Sequence, residues 1–169
     1  LESVLSAFLE RRENGLVPIF EGKQYWNFYE WTDGSDFTEE CGGIVQPIHH
    51  DLILNCAYVH ACNIFEKLTG EKRDNTALLE AIEKHFYNEE KGLYKLCLER
   101  EEKYSKLGNA FAYLIGLGRK EGFVERMMDD SLVEASLSMR AFYYDALLQA
   151  DEKYKEYILQ NSPRTIRRT

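Results

Sequence analysis

Apolar residues recur along this chain at helical spacing, but in two different ways. In some stretches they cover nearly every face; in others they form a narrow stripe on a charged cylinder. Residues 1 to about 14 predict a first helix, with Val4, Leu5, Phe8 and Leu9 on one face, a charged end, and Gly15 as its stop. A long connection over about 16–47 follows, broken by Gly34, Gly42, Gly43 and Pro47. Residues 49–68 predict a helix that is apolar almost all round until its last turn, and therefore buried on most faces; Gly70 ends it. Asp74 or Asn75 caps the next helix, which runs to about Tyr87. Its stripe of Leu78, Leu79, Ile82 and Phe86 leaves the other faces polar, as expected of an outer helix.

A second connection covers about 88–104, with a turn at 88–94 and short extended structure within 92–98. Residues 105–117 form another apolar helix rich in small residues, ended by Gly118. A charged helix over about 121–129 and a third connection over 130–135 lead to a largely apolar helix over 136–149. A tight turn at Asp151 precedes a charged helix over about 152–160. Ser162-Pro163 has the form of an N-cap followed by a first-turn proline. The sequence stops about two turns later, which is short for an independent helix, so a truncated element is expected there. The start at Leu1, inside the first helix, is likewise expected to lack the natural N-terminus.

Long connections thus lead into the apolar helices, and tight turns lead from those into charged ones. This is a repeated helical hairpin with one helix inside and one outside, and all long connections gather at one end, over the N-termini of the inner helices. Stacked hairpins form a solenoid or a closed toroid. Inner helices start about 56 and then about 33 residues apart, too uneven for a solenoid array. The expected fold is all-α: repeated helical hairpins, part of an (α/α)6 toroid with long loops at one end. Residues 1–169 would form a partial toroid domain of about three hairpins plus flanking helix pieces.

Composition changes this picture little. At 169 residues and 44% hydrophobic content the chain is globular, and no apolar run approaches a membrane span. A net charge of −8 excludes the basic face that nucleic-acid binding requires. Cys41, Cys56, Cys62 and Cys97 follow no disulfide framework, so reduced thiols and a cytoplasmic location are expected.

Candidate chemistry concentrates in the first long connection, at Tyr25-Trp26-Asn27-Phe28-Tyr29-Glu30-Trp31-Thr32-Asp33-Gly34. Both tryptophans of the chain lie here, among carboxylates. An indole offers a wall for the C–H face of a pyranose, and carboxylates accept from its hydroxyls; a buried acid among aromatics also has a raised pKa. The competing reading is a loop anchored to the core by its large side chains. His49-His50-Asp51 has the residue types of a metal site, and Cys56 and His60 stand at i, i+4 spacing. No second ligand pair is evident, so no metal or other cofactor is expected, and these histidines are read as packed or capping residues. Cys41 beside two glycines lacks a basic partner for nucleophilic work, and Gly116-Leu117-Gly118 is too short for a nucleotide loop.

Several of these segments resemble the six-hairpin glycosidases of family 78, the bacterial α-L-rhamnosidases. Trp26-Asn27-Phe28-Tyr29-Glu30-Trp31 is similar to their Trp-x-Phe-x-acid-Trp pattern, with Glu30 where many relatives have aspartate. Asn88-Glu89-Glu90-Lys91-Gly92-Leu93-Tyr94, Leu107-Gly108-Asn109-Ala110 and Ser138-Met139-Arg140-Ala141-Phe142 resemble a turn and two inner-helix starts of that family. The resemblance implies hydrolysis of terminal α-L-rhamnosyl or similar groups, with inversion, by two widely separated carboxylates. The family's acid loop and its Thr-x-x-Trp-Glu base segment are absent, so no catalytic residue is expected within the chain. The resemblance implies a substrate-binding role instead: Trp26 and Trp31 as stacking walls, Glu30 and Asp33 as hydroxyl partners. The expected partner is carbohydrate, not nucleic acid or membrane, with self-association covering the apolar surface of an open partial ring. The alternative function is a non-catalytic helical-repeat interaction module.

Overall fold

The computed structural model describes residues 2–20, 49–99 and 102–162. Seven helices and one small hairpin account for the regular structure among them: α1 (Glu2–Leu9), α2 (Leu52–Thr69), α3 (Thr76–Phe86), β1 (Tyr87–Asn88), β2 (Leu93–Tyr94), α4 (Lys106–Leu114), α5 (Phe123–Met127), α6 (Arg140–Ala150) and α7 (Lys155–Asn161). A single 3-10 turn, Glu152–Tyr154, leads into α7.

The helices pair as their polarity predicts. α4 packs against both α2 and α6, so these three apolar helices form one inner layer. α3 lies on α2, α5 on α4, and the Glu152–Tyr154 turn joins α6 to α7. Burial follows the same division at α4 and α7, while α6 buries only Tyr143, Ala146 and Leu147. Every residue of α4 except the last is buried, whereas α7 buries none of its residues. One core runs through the whole array, from Leu5 and Val17 to Leu147 and Tyr154.

The hairpin ends follow local chemistry. Gly70 takes the left-handed conformation at φ 78° and its N–H closes α2 on Glu66 O. The turn over 88–94 is a true β-hairpin, pairing Tyr87 with Tyr94 and Asn88 with Leu93. Asn88 Oδ1 accepts from the N–H groups of Glu90 and Lys91, and Gly92 supplies the positive φ. A side chain at Gly92 would collide with the Arg126 guanidinium.

Several boundaries differ from the sequence reading. α1 ends at Leu9, not near Asn14, because Glu13 and Leu16 exchange N–H···O bonds of 2.8 and 2.9 Å and fold the chain back at Asn14-Gly15. Consequently Val4 and Leu9 are exposed, and Leu5 carries the burial of this helix. α2 begins at Leu52, three residues later than expected, because Asp51 is its extended N-cap and accepts from Leu54 N–H at 2.8 Å. His49 and His50 therefore precede the helix. α5 is likewise shorter than the expected 121–129, since Gly122 at φ 69° starts it.

Candidate functional site

The N-termini of the inner helices gather the long connections, and two of these helix mouths are built alike. At α2, Asn55 stands four residues after the cap Asp51. Its Oδ1 accepts from Val17 N–H at 2.7 Å, and its Nδ2 donates to Val17 O at 3.0 Å and to Asp51 O at 2.8 Å. At α4, Asn109 stands four residues after the cap Ser105. Its Oδ1 accepts from Tyr94 N–H at 2.8 Å, and its Nδ2 donates to Tyr94 O at 3.2 Å and to Ser105 O at 3.0 Å. Each buried asparagine thus clamps both backbone groups of a preceding segment onto the helix start. On the other side, the first helical N–H donates to a following strap: Leu52 to Leu96 O, Lys106 to Val133 O, both at 2.9 Å. The straps answer with Leu98 N–H to His50 O and Val133 N–H to Tyr104 O. Both asparagines are fully buried, as are the residues they clamp. This device repeats on different sequences because an apolar inner helix leaves few other partners for buried backbone groups.

What decorates the two mouths differs. At α2, Glu99 of the strap is gripped by His50 Nδ1 at 2.9 Å and by the N–H groups of His49 and His50 at 3.2 Å each. Burial would raise its pKa, but these donors outweigh burial and hold it below the usual carboxylate range. The turn after α1 lies across the same mouth: Ile19 N–H donates to His49 O, and Glu13 Oε2 lies 2.9 Å from His49 Nε2. That hydrogen bond keeps the Glu13 pKa low. Burial pushes Asp51 up to about 7 against the pull of the Leu54 and Ile53 amides, and the Glu99 charge adds to the rise. At α4 the decoration is a buried amine. Lys106 is 1% exposed, and its Nζ donates to Glu134 and, at 3.3 Å, to Asp130. Burial alone would lower its pKa; the two carboxylates more than offset that and hold it high.

Trp26, Glu30, Trp31 and Asp33, the residues that carry the sugar-binding expectation, lie outside the described residues, as does Cys41. They belong to the segment 21–48, which connects Phe20 to His49 in sequence. Cys56 and His60 do not act as a ligand pair. Cys56 is fully buried, with burial pushing its thiol pKa up, while the His60 ring meets Phe111 and Phe142 edge-on. Sequence reasoning gives Glu13, Glu99 and Lys106 no role in a site and takes the acidic run from Glu99 to Glu102 for solvated surface, whereas Glu99 is gripped at the α2 mouth. The sequence signal that was present is the recurrence of Asp51-x-x-x-Asn55 and Ser105-x-x-x-Asn109 at the heads of two apolar helices.

No family model matches the chain, and no curated protein matches it by sequence. Among solved structures it is similar to the GH78 family rhamnosidase of Bacillus sp. GL1, with a TM-score of 0.69 and 24% identity over 93% of this chain. The chain spans 18% of the length of that structure. The likeness establishes a shared helical-hairpin fold.

Proposed function

We propose that this chain is part of a glycoside hydrolase, an (α/α)6-toroid enzyme acting on terminal α-L-rhamnosyl or similar residues. The observation that carries the reading is the fold likeness to a rhamnosidase over nearly the whole chain, joined to the Trp26–Trp31 pattern. In this reading Trp26 and Trp31 stack on the sugar, and Glu30 and Asp33 accept from its hydroxyls. The general acid and base of an inverting, two-carboxylate reaction lie outside the chain. The α2 mouth holds Val17, Ile19 and His49, described residues on either side of the segment that carries these four. Exposed Ile64, Leu68, Leu137, Leu148 and Leu159 support self-association, and buried Cys56, Cys62 and Cys97 suit a reducing cytoplasm. Among the described residues, no helix is long and apolar enough to cross a membrane.

A tryptophan-fluorescence titration with L-rhamnose tests the reading, because Trp26 and Trp31 are the only tryptophans. A saturable change with rhamnose, absent with glucose and lost in Trp31→Ala, is the expected result. A folded chain with no response shifts the assignment to a helical-repeat interaction module.

A further inference from the structure

Glu13, His49 and His50 meet at the α2 mouth from two chain segments, with one carboxylate oxygen and one ring nitrogen of each histidine all within 4.8 Å of one another. We propose that these three side chains form a divalent transition-metal site, best suited to zinc, that pins the turn after α1 to the entry of α2.

Three features of the geometry carry this. The first is the donor set. Two imidazoles and one carboxylate are the ligands that zinc accepts at about 2.0–2.2 Å, leaving a fourth position for water. Two such ligands around one ion stand roughly 3 Å apart, and the His49 Nε2 to Glu13 Oε2 separation is 2.9 Å. The second is the orientation of His50. Its Nδ1 lies 2.9 Å from Glu99 Oε1, so Nδ1–H donates to the carboxylate and the lone pair of the neutral ring is left on Nε2. Backing a ring with a carboxylate is how metal-binding imidazoles are oriented and made more basic. The third is an unanswered polar atom. His50 is 8% exposed, and its Nε2 is buried without a hydrogen-bond partner among the described residues. A buried nitrogen lone pair without a donor costs free energy unless something fills the place, and a cation does so.

Local charge agrees. Glu13 and Glu99 supply two negative charges against the nearby Arg11, so a dication finds a net attractive site. The buried thiols do not compete locally, since Cys56, Cys62 and Cys97 are absent from the cluster. An ion here would clip residue 13 to residues 49 and 50. The site is separate from the sugar-binding reading and stands without it.

The test uses the full chain stripped with a chelator and titrated with zinc chloride by calorimetry, followed by X-ray absorption at the zinc edge. One equivalent should bind, with nitrogen and oxygen neighbours only, including two imidazoles. Glu13→Gln and Glu99→Gln should each weaken binding at least about tenfold, the first by removing a ligand and the second by releasing the His50 ring. Glu13 is exposed, so its substitution leaves the core intact, and circular dichroism checks that the variant folds. Absence of zinc binding, sulfur neighbours around the bound ion, or wild-type affinity in folded Glu13→Gln would each overturn the site.

Discussion

The mouths of α2 and α4 share a backbone device and differ in everything attached to it. Each has an N-cap, a buried asparagine four residues on, a clamped preceding segment and a hydrogen-bonded strap. One then carries a histidine–carboxylate cluster, the other a buried lysine with two acids. The α6 start has neither version: its cap is Met139, which makes no side-chain capping bond. The difference separates scaffold from decoration. At α2 and α4 the clamp supplies partners for the buried backbone groups of Val17 and Tyr94. The side chains on it are free to vary with their task.

The comparison breaks most severely at the asparagines. Asn55→Ala and Asn109→Ala each remove three hydrogen bonds and strand buried backbone groups, so each should cost about 3 kcal/mol, read from the urea midpoint. Unequal losses would mean that the two mouths are alike only in outline. Next come the decorations. Glu134→Gln leaves the Lys106 ammonium with only the exposed Asp130, and a loss of about 1–2 kcal/mol is expected. Lys106→Met removes the buried charge instead and should change stability by less than about 1 kcal/mol, because both acids can turn to water. The caps follow: Asp51→Ala and Ser105→Ala should each cost about 1 kcal/mol, while Met139→Ala removes no cap bond. The smallest effect belongs to Glu13→Gln in metal-free buffer, with a urea midpoint indistinguishable from that of the parent chain, since its pairing with His49 is exposed. A loss there would give Glu13 a packing role.

The hairpin alternation was legible because inner and outer helices differ in how many faces are apolar, and that difference survives in one dimension. Glycines at 70, 92 and 118 marked turns for the same reason, since positive φ is a local demand. The start of α3 after Asn75 was legible too. What the sequence hid is what depends on closure. Glu13 and His49 are separated by the long connection, so nothing local predicts that they touch. Lys106 looked like an ordinary charge, and only the strap bearing Glu134 explains its burial. The asparagine clamp was visible as two polar residues inside apolar helices, but its partners, Val17 and Tyr94, were not. Trp26, Glu30, Trp31 and Asp33 rest on the motif resemblance and await a direct measurement.

That measurement is an amide-resolved NMR titration of the chain with L-rhamnose. The account predicts saturable shifts in residues 21–48 and at the α2 mouth, around His49 to Leu54, with little change at the tight-turn end near Gly70, Gly118 and Asp151. Shifts confined to the tight-turn end, or none in a folded sample, would contradict the claim that the long-connection end is the sugar-binding face.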